Sequence, residues 1–166
     1  APFDQVIGSI HTIEGHDLYY ADIYKDRAKD DLYRLYLETM ARCVRSQGAF
    51  IDILAHIDYI ARYAAYSDTE LTYAAYGDYI DEVLRALVET DTVLELNTRR
   101  FDAPQGKASL VPIFTRYREL GGKEVTLGSD AHDAAAIGFA FTEAHELAAD
   151  LGLAVVTFLA RKKEYC

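Results

Sequence analysis

Three histidines and one aspartate stand directly after short apolar runs in this sequence. His11 ends VIGSIH, His56 ends IDILAH, and Asp130 with His132 closes VTLGSDAH. Each run reads as a β-strand and precedes a helix-like segment. In parallel α/β folds, residues just past the carboxyl ends of strands converge on one rim, and ligands bind there. Imidazole nitrogens and a carboxylate gathered on such a rim suit a divalent transition metal. The chemistry to expect is metal-assisted, with these four residues forming part of the metal centre.

Each group taken singly has a plainer reading. Asp130 and His132 are two apart, so extended backbone puts both side chains on one face. The same pair fits an aspartate capping the next segment and a histidine on the surface. Asp58 shares a face with His56 and is placed to orient that imidazole through its other ring N–H. A lone histidine at a strand end, His56 or His11, is otherwise a hydrogen-bonded structural residue. Glu14, His16 and Asp17 form a polar cluster expected to face water, and His145 reads as a surface residue of a helix. Arg62 follows His56, and Arg99 and Arg100 follow the run TVLELN. Guanidinium forks match phosphate oxygens in pairs, although a single arginine is commonly a solvated charge. Asn97, at the end of TVLELN, can hold a ligand or contact substrate.

The elements that must position these residues alternate. VIGSI (6–10), IDILAH (51–56), TVLELN (92–97), KEVTLGSD (123–130) and AVVTF (154–158) read as strands. A helix is expected from about Lys25 to Gln47, with Leu32, Leu35, Tyr36, Met40, Cys43 and Val44 on one stripe and Gly48 as its stop. A second runs from about Asp78 to Glu89, with Tyr79, Ile80, Val83, Leu84, Leu87 and Val88 on one side. A third runs from a Ser109 cap to Leu120, with Pro112 in its first turn. A fourth runs from a Thr142 cap to Leu151, closed by Gly152. Residues 57–76, with tyrosines at 59, 63, 66, 73 and 76, read as a long loop with some helix. They either cover a pocket or pack the surface with amphipathic rings. RKKEYC reads as a polar tail. Strand–helix alternation indicates a parallel sheet with right-handed crossovers. The chain is too short for an eight-unit barrel, so it is either a short open sheet or the later part of a barrel.

At 166 residues, 51% of them hydrophobic, the chain reads as one domain with a real core. A net charge of −10 argues against unspecific binding to nucleic acid or an anionic membrane. No apolar stretch is long enough to span a bilayer. Cys43 and Cys166 show no zinc spacing and no disulfide framework, with Cys43 expected as a buried thiol, so a reducing cytoplasm is the default. The sequence has no phosphate-cradling G-x-x-x-x-G-K-[ST], no G-x-G-x-x-G and no G-x-S-x-G. APFDQV lacks an initiator methionine and reads as the edge of a strand, so the chain is expected to start inside a longer gene product.

VIGSIH, ILAHIDYIARY, LELNTRR and VTLGSDAH, in that order, resemble the carboxyl-terminal two-thirds of the PHP-type histidinol-phosphatases. The ordered set, with its intervening helix lengths, covers nearly the whole chain. The resemblance implies a distorted (β/α)7 TIM-like barrel, incomplete here, as one domain over residues 1–166. It implies hydrolysis of L-histidinol phosphate to L-histidinol and phosphate in histidine biosynthesis. It makes His11, His56, Asp130 and His132 metal ligands, with Asp130 and His132 at the reaction centre. Zinc, manganese and iron all accept such ligands, and the family's centre holds three ions. Asp58, Arg62, Asn97, Arg99 and Arg100 become candidates for contact with a small phosphorylated substrate. The family's other ligands are an amino-terminal H-x-H, a following aspartate and histidine, and a glutamate at a later strand end. They belong to a segment of the same barrel that is missing from this sequence. Thr12 stands where the family often has an apolar or aromatic residue, and Arg99 and Arg100 stand where small residues are frequent. The alternatives are another PHP phosphoesterase, an amidohydrolase-like metal hydrolase, or a non-catalytic PHP-like structural domain.

Overall fold

A computed structural model describes residues 3–165. Ala1, Pro2 and Cys166 lie outside the described residues, and with them the expectation for the terminal thiol. In chain order, β1 (Ile7–Gly8) is followed by a small hairpin of β2 (Thr12–Ile13) and β3 (His16–Asp17), then α1 (Lys29–Gln47) and β4 (Ile53–Leu54). Next come α2 (Tyr59–Tyr63), α3 (Tyr73–Thr90), β5 (Val93–Asn97), α4 (Pro104–Glu119) and β6 (Glu124–Gly128). The chain closes with α5 (Phe141–Asp150), β7 (Ala154–Leu159) and β8 (Lys162–Tyr165).

All five expected strands pair. The main sheet has the order β1-β4-β5-β6-β7-β8, parallel except for the antiparallel pair β7 and β8. The five parallel strands run in chain order, so right-handed crossovers place the connecting helices on one face. That face holds the main core. α1 packs on α3 and α3 on α4, burying Tyr33, Tyr36, Leu37, Met40, Leu84, Ile113 and Phe114. Each large apolar side chain buried there contributes about 1.5–3 kcal/mol. Along β5, Leu94 and Leu96 join this core while Val93 joins a separate cluster with Ile53, Val156 and Phe158. Strand alternation therefore turns Val93, Glu95 and Asn97 toward the other face.

The structure differs from the sequence expectations at several ends. Asp26 has φ +57, which breaks the helical path, so α1 starts at Lys29 and not at Lys25. α3 starts at Tyr73, because Thr72 caps it by accepting from the Ala75 N–H, and the early part bends at Tyr76. Val88 is exposed on α3, and Cys43 is only partly buried on α1. Ser109 does not cap α4. Pro104 takes its first turn, where a missing N–H does no harm. Pro112 therefore lies inside the helix, and the Ser109 hydroxyl shares its one proton between Gln105 O and a Glu70 carboxylate oxygen, each 2.8 Å away. Thr142 falls inside α5, which follows Ala140 in a left-handed conformation. Within the expected polar tail, Lys162–Tyr165 form β8. Ala160 and Arg161 both have positive φ, the turn geometry that lets a two-residue hairpin follow the twist of its strands. Among the described residues no helix is long and apolar enough to cross a membrane.

Candidate active site

The carboxyl ends of β1, β4, β5 and β6 lie side by side, and the residues after them meet on one rim. His11 follows β1 and His56 follows β4. Their Nε2 atoms are 3.3 Å apart and the rings are stacked. His11 is exposed, whereas His56 is 6% exposed. Burial first, and then the nearby Arg62 charge, lowers the His56 pKa to about 4. The imidazole is therefore neutral at pH 7, the form that offers a lone pair. The buried His56 Nδ1 has no hydrogen-bond partner. The expectation that Asp58 orients it is not met, because the Asp58 carboxylate is held by Arg100. Tyr59 packs against both imidazoles, with ring centroids 4.4 and 5.0 Å away, and Tyr63 and Tyr19 continue this aromatic wall.

On the β6 side, Asp130 sits at φ +48. That backbone region is sparsely populated outside glycine, with aspartate among the residues that tolerate it. Arg62 donates to the Asp130 carboxylate through Nη1 and to Asn97 Oδ1 through Nη2, the latter at 2.9 Å. Arg99 donates to Asp130 O at 2.6 Å, and its backbone N–H donates to Asn97 Oδ1 at 3.0 Å. His132 is exposed. Its Nδ1 lies 2.8 Å from Asp130 O and 3.1 Å from Arg99 Nη1. When Nδ1–H donates to Asp130 O, the His132 Nε2 lone pair is free to ligate.

The site residues divide accordingly. His11 and His56 touch directly. Asp130 and His132 join through backbone and Arg99, Arg62 ties Asp130 to Asn97, and Asn97 reaches the His56 backbone through Glu95. Among the described residues no group of three or more His, Cys, Asp or Glu side chains is gathered closely enough to hold a cation by itself. Arg100 stands apart from this chain of contacts. It pairs with Asp58 at 2.9 Å and with Glu70, whose other oxygen accepts from Ser109 at 2.8 Å. All three charges of that group are largely shielded from solvent, so Arg100 braces the loop before α3 against α4. As expected from sequence, His16, Glu14 and His145 are exposed. In the tyrosine-rich segment Tyr59 and Tyr63 stand beside the imidazoles at the rim, while Tyr66 and Tyr76 pack on Tyr33 in the buried core and not on the surface.

Two acidic residues escaped the sequence reading. Glu95 sits inside the apolar run of β5 and accepts from the His56 N–H at 2.8 Å and from Asn97 Nδ2 at 2.9 Å. Its two-residue offset from Asn97 was the available signal. Glu70 carried none, since only the fold brings it to Arg100.

The donor set fits a transition metal. Two imidazole nitrogens bound to one tetrahedral zinc at about 2.0–2.1 Å lie about 3.3–3.4 Å apart. The His11–His56 separation of 3.3 Å matches that spacing.

Comparison with known proteins agrees with this geometry. Residues 1–99 match the family described as PHP domain. A probable histidinol-phosphatase from Clostridium acetobutylicum is 47% identical over 163 residues, covering 98% of this chain and 64% of the relative. A histidinol-phosphatase from Lactococcus lactis is 35% identical over 133 residues, covering 80% of this chain and 49% of the relative. A crystal structure of histidinol phosphate phosphatase from Lactococcus lactis, complexed with zinc, L-histidinol and phosphate, superposes with a TM-score of 0.86 at 31% identity. That match covers 99% of this chain and 63% of the other. The chain thus spans less than two-thirds of the length of each of these relatives. With its ligand-type side chains ending successive parallel strands and a family match over more than half its length, this chain belongs to the PHP domain family.

Proposed function

We propose that residues 1–166 are a single-domain portion of a distorted (β/α)7 PHP barrel whose amino-terminal segment supplies the remaining strands and ligands. The complete barrel is a metal-dependent phosphomonoesterase that hydrolyses L-histidinol phosphate to L-histidinol and phosphate, acting in histidine biosynthesis in the cytoplasm. The observation that carries this reading is the His11–His56 nitrogen pair at the spacing of two ligands on one cation, with Arg62 and Arg99 gathered on Asp130 at the same rim. The histidinol-phosphatase relatives support the choice of substrate.

His11, His56, Asp130 and His132 would hold divalent cations, zinc, manganese or iron, with three in the complete protein. Such ions supply a bound water of lowered pKa and neutralise phosphoryl oxygens. The residues of this chain do the rest. Arg62 and Arg99 would present guanidinium donors to the phosphate; Asn97 Oδ1 accepts from the Arg62 guanidinium and from the Arg99 backbone N–H. Asp58 and Arg100, paired with each other, would contact the substrate only from beside the rim, and Tyr59 covers one side of the imidazole pair. One water is consumed: its oxygen bonds to phosphorus, the phosphorus–oxygen bond to the alcohol breaks, and a proton from that water ends on the alcohol oxygen. Asp130 and His132 serve chiefly as ligands.

The test is phosphate release from L-histidinol phosphate by the full-length protein. His132→Ala is expected to abolish it, and an unchanged rate would remove the site assignment. The 166-residue chain alone is expected to lack full activity, because an incomplete ligand set cannot position the ions. Robust turnover by that chain would refute the incomplete-barrel reading.

A further inference from the structure

We infer that Glu95 is a positioning residue: from inside the sheet it sets both the backbone of His56 and the orientation of the Asn97 amide. This inference rests on the phosphatase reading.

Glu95 projects from the middle of β5 onto the face that carries Ile53, Val93 and Val156. It is 8% exposed. A buried carboxylate is unfavourable unless its oxygens are well satisfied, and the two bonds it accepts come from amides. Both converge on one oxygen, Oε2. The other oxygen, Oε1, lies where a side chain at position 128 would begin: a Cβ on Gly128 would stand 1.9 Å from it. Glycine at 128 therefore makes room for the carboxylate, and the carboxylate is wedged in one place.

The two accepted bonds have separate consequences. Holding the His56 N–H fixes the backbone that aims the imidazole at His11. Accepting from Asn97 Nδ2 decides which way the amide faces, and its Oδ1 is thereby left for Arg62 Nη2 and the Arg99 N–H. Glu95 touches neither the ligating atoms nor the rim surface. It ties the imidazole half of the site to the arginine half through one oxygen.

The experiment uses the full-length protein, with kcat and KM for phosphate release from L-histidinol phosphate and a melting curve for each variant. Glu95→Leu fills the volume but accepts no bond, and is expected to fold while losing kcat by about 10–100-fold, the range for partners that orient metal ligands. Glu95→Gln restores an acceptor oxygen and is expected to recover most of that loss. Gly128→Ala displaces the carboxylate with every partner retained and is expected to fall about tenfold or more, which carries the test should the leucine variant not fold. A folded Glu95→Leu or Gly128→Ala protein with an undiminished kcat overturns the inference, as does a glutamine variant no better than the leucine one. An unsubstituted protein that releases no phosphate overturns the phosphatase reading and this inference with it. Active unsubstituted protein with indifferent variants overturns the inference alone.

Discussion

The two ends of the same strands solve opposite problems. At the amino end, charges are paired to close the structure. Asp52 accepts from the Val6 N–H at 2.7 Å and faces Arg161 at 2.6 Å. Arg161 also donates to Phe50 O, and Lys163 reaches both Asp91 and Glu124. These contacts pin β8 and the first strand to the sheet. At the carboxyl end, the polar groups are fixed but not all used. His56 Nδ1 and Arg62 Nε are buried without partners, Asp130 takes a strained backbone conformation, and His11 is exposed beside the buried His56. Positive φ occurs at both ends, at Ala160 and Arg161 as at Asp130, and Arg161 Nε also lacks a hydrogen bond. What differs is that the amino-end charges face one another, whereas the carboxyl end gathers two imidazoles, one of them with an unused buried nitrogen, where the chemistry is proposed.

This contrast can be broken by substitutions at each end. The largest effect is expected from His56→Ala in the full-length protein: a loss of kcat/KM of roughly 10³-fold, about 4 kcal/mol of transition-state stabilisation, with little change in melting temperature. Its counterpart, Asp52→Ala, strands Arg161 and the Val6 N–H and is expected to lower folding stability by about 2 kcal/mol while phosphate release keeps its rate. Equal losses of activity from both would erase the distinction.

A smaller effect is expected at Arg62. Arg62→Lys keeps the charge but loses the planar fork that sets one nitrogen on Asp130 and the other on Asn97, so KM for histidinol phosphate should rise about tenfold or more, one charge-assisted hydrogen bond's worth. Steady-state kinetics with wild-type KM would show that Arg62 is only structural.

The smallest effect concerns pH and lies outside the rim. Arg116, by hydrogen bonding, and Tyr73 hold the Asp81 carboxyl below its ordinary value despite partial burial. A depressed folded pKa stabilises the protein above the unfolded value of about 3.9. That stabilisation fades as pH falls through the folded value. Asp81→Asn should therefore melt earlier than the parent near neutrality, and the difference should shrink in acid. A gap that stays constant with pH would remove the carboxylate from the account.

Much of the rim was legible in the sequence because strand ends announce themselves. An apolar run that stops at a histidine places that histidine at the sheet's edge whatever the rest of the fold does, which is why His11, His56 and Asp130 could be read. The partners of those residues could not be. Arg100 and Asp58 both looked like rim residues, yet Arg100 turns to Glu70 and draws Asp58 away from His56. Sequence spacing fixes which face a side chain takes, not which of several charges it meets. Glu95 was hidden by its own neighbours, since Leu94 and Leu96 make β5 look uniformly apolar. RKKEYC looked like a tail because its charged residues show no apolar alternation to signal a strand. The pairing of Lys162–Tyr165 comes from a turn at Ala160 and Arg161 that lacks the usual glycine or asparagine. Ser109 misled for a local reason: a serine with a proline three residues later suggests a cap and a first turn, but Pro104 had already begun α4.

The central claim is that the rim works only with a bound divalent cation. Full-length protein should release phosphate from L-histidinol phosphate, lose that activity on treatment with a strong chelator, and regain it when zinc, manganese or iron is returned. Phosphate release that survives complete removal of metal, confirmed by elemental analysis, would contradict the account.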